Sequence, residues 1–124
     1  LAHRLSISAE ETVFAGLAAA LTDLFRLADE AGNGDRTRAY SAVNLLITHA
    51  SGLFALRQFS IEAEYYTLSA RPLEKAKDEA DGWIVASEAT DDSDAWTLLT
   101  PGVLNFYPSQ GASKAAQTLQ VAVN

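Results

Sequence analysis

Few side chains in this sequence have the types and spacing that acid–base or metal chemistry requires. The two histidines, His3 and His49, lie far apart, and neither has a second ligand one helical turn away. The chain has no cysteine, which excludes disulfides, thiolate metal ligands and cysteine nucleophiles. No Gly-x-Ser-x-Gly elbow, phosphate-binding loop or dinucleotide fingerprint occurs. The sequence therefore predicts a protein that is not an enzyme, with no catalytic residue, no metal ligand and no cofactor.

Three groups of acidic residues match known functional features only in part. Glu62 and Glu64 are two residues apart, so on a helix they point in different directions and share a proton poorly. The stretch 29–35 surrounds a glycine with oxygen ligands, as a calcium loop does, but the twelfth position is Tyr40 rather than a bidentate glutamate. The acidic stretch 91–94 is predicted to be a solvated turn rather than a cation site.

One set of uncharged polar residues supports a hypothesis of small-ligand binding. Tyr40, Asn44, Thr48 and His49 recur at about one helical turn within a stretch that we predict to be helical. They would line a pocket between helices. The alternative is that the small side chains of this stripe allow a second helix to approach closely, with His49 as a hydrogen-bonded core residue.

Composition narrows the class of protein. The chain has 124 residues, which fits one domain, and 48% of them are hydrophobic, which is typical of a globular protein. The formal net charge of −7 argues against a nucleic-acid partner, which would require clustered Lys and Arg. No apolar run is long enough to span a membrane. We therefore expect a soluble protein, cytoplasmic or within an assembled particle, with no nucleic-acid or membrane partner.

The N-terminal half is predicted to contain a helical hairpin. Residues Ser8 to Glu11 form a capping box, and apolar residues then recur every three or four positions, which predicts a helix over 9–31. Gly32 and Gly34 end it. The stretch 36–57 has a wide apolar face and predicts a second, antiparallel helix.

The middle of the chain is harder to interpret. Residues 59–69 fit a continuation of the second helix, although the alternation of apolar and polar residues also fits a strand. Pro72 suits the first turn of a third helix that ends at Gly82 or passes through to Ala89.

The last thirty residues carry one charged side chain, Lys114, and are rich in strand formers. Strands are predicted over 96–100, 103–107 and 118–123, separated by turns. A strand at residues 1–7 would be able to pair with 118–123. The predicted fold class is α-dominated α+β: a mainly helical core over 1–94 with a short N-terminal arm, and a β-like segment over 95–124 packed on this core or on a neighbouring subunit.

The low charge of the C-terminal segment favours a structural role. We expect a non-enzymatic assembly subunit whose partners are copies of itself or another subunit, as in virus or phage particles. The predicted interface consists of apolar residues of the C-terminal segment: Trp96, Leu98, Val103, Phe106, Tyr107, Leu119, Val121 and Val123. The second hypothesis is a helical binding or regulatory domain that holds a small ligand between its helices.

Overall fold

The computed structural model describes residues 10–73, 82–108 and 117–122. One helix, α1 (Glu10–Ala31), and a single 3-10 turn (Arg36–Arg38) precede the strands in the described ranges. The strands are β1 (Leu45–His49), β2 (Gly52–Arg57), β3 (Ser69–Leu73), β4 (Gly82–Ala86), β5 (Thr97–Leu98), β6 (Val103–Pro108) and β7 (Gln117–Gln120). The prediction of an α-dominated fold is therefore wrong, because most of the elements are antiparallel strands.

Helix α1 confirms the prediction for the start of the chain. Phe14, Leu21 and Phe25 are buried on one face, whereas Leu24 of the predicted apolar stripe is exposed. The helix ends where predicted, because Asn33 and Gly34 adopt positive φ values of 54° and 84°. Ser8 of the predicted capping box and the possible strand at residues 1–7 lie outside the described residues.

The predicted second helix is wrong, since residues 45–57 form a β-hairpin. The spacing of apolar residues in this stretch fits both a helix and a strand, and the β-branched residues Ile47 and Thr48 favour the strand. Gly52, the first residue of β2, also fits the hairpin. A Cβ atom at Gly52 would lie 2.2 Å from the carbonyl oxygen of Tyr107, so this position requires glycine where β2 approaches β6.

The other two helical predictions are also wrong. Residues 60–67 form bends and turns, and Pro72 lies in β3 instead of opening a helix. Strand β4 contains Trp83, Ile84 and Val85, whose aromatic and β-branched side chains favour extended backbone. The charged pairs that suggested a third helix fall in residues 74–81, outside the described residues.

The strands form two antiparallel sheets. The first has the order β1-β2-β6-β7 and the second the order β4-β3-β5. Side chains alternate between the two faces of the first sheet. Phe54 and Phe106 are paired across β2 and β6 and face α1, whereas Ala55 and Tyr107 face the second sheet. The described residues therefore form three layers: helix, four-stranded sheet and three-stranded sheet.

Each interface between layers has its own apolar core. Between α1 and the first sheet, the ring centroids of Phe14 lie 6.0 Å from Phe54 and 6.1 Å from Phe106. The second core joins the two sheets and contains Ala55, Leu68, Ala70, Leu99 and Tyr107. The first sheet therefore lies between the two cores and contributes apolar residues to each of them from its opposite faces.

The prediction of β structure in the C-terminal segment is confirmed where the residues are described. Strand β6 covers the predicted 103–107, and β7 covers the first part of 118–123. Only Thr97 and Leu98 of the predicted strand 96–100 are extended. Because β6 pairs with β2, the C-terminal segment is part of the same sheet as the chain before it.

Candidate functional site

The structure divides the four residues of the predicted ligand pocket into two pairs, Tyr40 with Asn44 and Thr48 with His49. The hydroxyl of Tyr40 accepts a hydrogen bond from Nε2 of Gln58 at 3.0 Å, and its ring packs 5.8 Å from Phe25 beside α1. Asn44 donates to the carbonyl of Thr67 at 3.3 Å and accepts from the backbone of Gln58 at 3.2 Å. Both side chains thus bond to Gln58, which follows β2: Tyr40 to its side chain and Asn44 to its backbone.

Thr48 and His49 lie at the end of β1, beside the turn of the hairpin. The backbone N–H of Ser51 donates to Nδ1 of His49 at 3.2 Å, and the Ser51 hydroxyl lies 2.8 Å from the same nitrogen. His49 is exposed and stabilises this turn, in place of the core position that the helical interpretation gave it. Both residues line a cleft of about 310 Å³ that also contacts Trp83 and Tyr107.

Trp83 and Tyr107 form an aromatic pair between the two sheets. Their ring centroids are 4.8 Å apart and the rings are tilted by 47°. The same two rings line a second cleft of about 300 Å³, which we call the β5 cleft because Thr97 and Leu98 of β5 border it. Asn105 and Thr100 are also in its wall. The pair therefore separates two clefts at the junction of the sheets.

The polar groups of the β5 cleft are held in fixed states. Asn105 donates through Nδ2 to the carbonyl of Val103 at 2.9 Å and to that of Ala55 at 3.3 Å. Burial raises the pKa of Tyr107 to about 12, and its phenol is protonated at neutral pH, as that of an ordinary tyrosine is. Nε1 of Trp83 is buried and has no hydrogen-bond partner among the residues that the structure describes. The sequence analysis missed Trp83 and Asn105. The alternation of side chains along β4 and β6 was the signal that could have shown which residues of each strand share a face.

The predicted interface residues differ in their burial. Phe106, Tyr107 and Val121 are buried within the chain, and Val123 lies outside the described residues. Leu98 and Leu119 are 51% and 40% exposed. Trp96 and Val103 are half-buried.

Trp96 belongs to a cluster that organises the acidic turn. Its Nε1 donates to the carboxylate of Asp91 at 2.9 Å, and the same carboxylate accepts from the backbone of Ser93 at 2.9 Å and from Arg71 at 3.1 Å. These bonds, with that of Ser93 the largest influence, lower the pKa of Asp91. Asp91 thus stabilises the turn that the sequence predicted over 91–94. In the described ranges no three His, Asp or Glu residues come together as a possible metal site.

The edges of the sheets have an unusual composition. Proteins normally protect edge strands with charged residues or proline. Here the long edge strands β1, β4 and β7 contain no Lys, Arg, Asp, Glu or Pro, whereas the inner strands contain Arg57, Arg71, Pro72 and Pro108. Every residue of β7 is exposed, whereas β1 contains half-buried residues and every residue of β4 is half-buried.

The register of β7 shows which backbone groups face outward. The N–H of Val121 donates to the carbonyl of Gly102 at 2.8 Å, in the same register as the β6–β7 ladder. Hydrogen-bonded pairs alternate in an antiparallel ladder, so Gln117 and Leu119 bond to β6. The N–H and C=O groups of Thr118 and Gln120 therefore point away from β6. No described residue pairs with them.

Comparisons with protein-family models, curated proteins and solved structures found no match to this chain. The described part of the chain has no helix with the length and hydropathy needed to cross a membrane.

Proposed function

We propose that this protein is an assembly domain that pairs with a second copy of itself through the outer edge of β7. The observation that carries the proposal is the outer edge of β7. Its outward backbone donors and acceptors have no partner among the described residues, and the strand has no charge or proline that would oppose pairing with another strand. Strand addition at such an edge gains its affinity from backbone hydrogen bonds.

A twofold axis beside Leu119 gives the simplest pairing. The outward groups of Thr118 in one copy would face those of Gln120 in the other, forming about four backbone hydrogen bonds. The two copies of Leu119 would then lie opposite each other in a pair without backbone bonds, where side chains approach most closely. Because each copy offers the same residues, the interface is closed and yields a dimer with one continuous sheet across the axis.

The side chain of Leu119 supports this arrangement. It is paired with Leu104 in the ladder and therefore lies on the face that packs against α1, but it remains 40% exposed. A second copy of β7 would cover part of this apolar surface and gain free energy from its burial.

The test is the mass of the protein in solution, measured by light scattering over a range of concentrations. The unmodified chain should form dimers. Thr118→Pro removes an outward N–H while leaving the ladder with β6 intact, so it should give monomers. Thr118→Val keeps the N–H and serves as the matched control, which should still dimerise.

A second pair of variants tests the apolar contact. Leu119→Lys places two like charges opposite each other at the axis and should weaken the dimer. Leu46→Lys makes the same change at the other edge of the sheet, where Leu46 is 52% exposed, and should leave the dimer unchanged. A monomer at every concentration, or a dimer that persists in Thr118→Pro, would refute the proposal.

A further inference from the structure

The β5 cleft is formed by both sheets, so its shape depends on the packing of the whole domain. Asn105 and Tyr107 contribute from the first sheet, and Ala70, Trp83 and Thr97 from the second. The volume of about 300 Å³ is at the lower end of ligand-binding pockets. An apolar cavity of about 150 Å³ accommodates benzene, so this cleft has room for about two fused rings.

The lining of the β5 cleft determines the charge of a suitable ligand. Among the residues that the structure describes, the lining contains no Lys, Arg, His, Asp or Glu. A charged ligand would lose its hydration without gaining an opposite charge, which is costly. The cleft therefore favours a neutral molecule, and the Trp83–Tyr107 pair offers it an aromatic wall.

The hydroxyl of Tyr107 provides the directional group. The residue is only 4% exposed, and none of the residues that the structure describes accepts a hydrogen bond from its hydroxyl. Tyr107 lines the β5 cleft, and its protonated hydroxyl is free to donate a hydrogen bond to an acceptor atom on a molecule bound there.

We propose that the β5 cleft binds a neutral, planar molecule of about two fused rings that carries a hydrogen-bond acceptor for Tyr107. This site is independent of the β7 edge, since none of its lining residues belongs to β7. Binding and dimerisation can thus be tested separately.

The experiment uses coumarin, which is neutral and has a carbonyl acceptor, and naphthalene, which has the same shape without an acceptor. Binding to the full chain is measured by ligand-observed NMR titration. Coumarin should bind saturably, and Tyr107→Phe should weaken its binding about five- to tenfold, the effect of one hydrogen bond. The affinity for naphthalene should stay within about twofold, because the aromatic ring remains. Tyr65→Phe alters a tyrosine that is 77% exposed and outside the cleft, and should change neither affinity.

A second variant tests the proposal even if Tyr107→Phe does not fold. Thr97 is exposed on β5, so Thr97→Phe should fill the cleft without disturbing the core and should abolish binding of both probes. Circular dichroism checks that each variant is folded. The proposal is overturned if coumarin does not saturate, if folded Thr97→Phe still binds it, or if anionic 2-naphthalenesulfonate binds as tightly as coumarin.

Discussion

Arg57 of the first sheet donates through Nη1 to the carbonyl of Leu99, which follows β5 of the second sheet, at 3.0 Å. The same guanidinium donates to the carbonyls of Ala63 and Tyr66, both at 3.0 Å, and lies 4.9 Å from the ring centroid of Phe59. Arg57 is only 5% exposed. One side chain therefore holds the loop between β2 and β3 and joins the two sheets.

Replacement of Arg57 should destabilise the domain strongly. Arg57→Met keeps the bulk of the side chain but leaves carbonyl groups without donors, which should cost about 2–4 kcal/mol in the free energy of unfolding. Arg26→Met removes an exposed arginine paired with Asp23 and should cost less than about 1 kcal/mol. Urea denaturation measures both values. Equal effects of the two variants would show that the carbonyl bonds of Arg57 contribute little.

The hydrogen bonds and ion pair of Asp91 should make the stability of the folded chain depend on pH in the acid range. The pKa of Asp91 is lower in the folded chain than its ordinary value of 3.8, so its bonds stabilise the fold above that pH. This contribution is lost as pH falls through the lower, folded pKa. Asp91→Asn should therefore reduce the unfolding temperature at pH 6, and the difference from the unmodified chain should shrink below about pH 3.8.

The control for this prediction is Asp92→Asn, which changes the adjacent carboxylate. Thermal unfolding of each chain between pH 2 and pH 6, followed by tryptophan fluorescence, provides the comparison. A constant difference between Asp91→Asn and the unmodified chain over this range would contradict the assignment.

Glycine should be required at position 52 because a Cβ atom there would clash with neighbouring atoms. The Cβ of Gly52→Ala would lie 2.2 Å from the backbone oxygen of Tyr107 and 2.9 Å from the ring of Phe106, so β2 and β6 would have to separate. We expect a loss of about 3 kcal/mol or more. Gly34→Ala meets no atom within 4 Å and strains only the backbone, at a φ of 84°. It should cost about 1 kcal/mol. Chemical denaturation compares the two, and equal losses would argue against a steric cause.

The packing of α1 on the first sheet can be tested at Phe14. Phe14→Ala removes a ring that is 6% exposed and packs on two other rings, which should cost about 3–5 kcal/mol. Leu24→Ala shortens a side chain of the same helix that is 50% exposed, and should cost less than about 1 kcal/mol. If both variants unfold at the same urea concentration, the assigned buried face of α1 is incorrect.

The sequence allowed α1 to be predicted because its apolar residues fit one period and its end has an unambiguous glycine signal. The structure of the stretch 36–57 was not predictable in the same way, because its apolar residues fit both the helical and the strand period. The choice between helix and strand depends on pairing with β6, some fifty residues later. The site was harder still. Trp83 and Tyr107 meet only because β3 and β4 fold over the first sheet, and local spacing carries no information about that contact.

The edge strand β1, which has no charged residue, bears on how many copies can associate. A twofold pairing at β7 uses one edge of each four-stranded sheet and leaves β1 at both outer ends, where no described strand other than β2 pairs with it. If β1 also accepted a neighbour, successive copies would extend into a ribbon without a natural stopping point. Leu46 on that edge is the position where a single charged substitution would cap such growth.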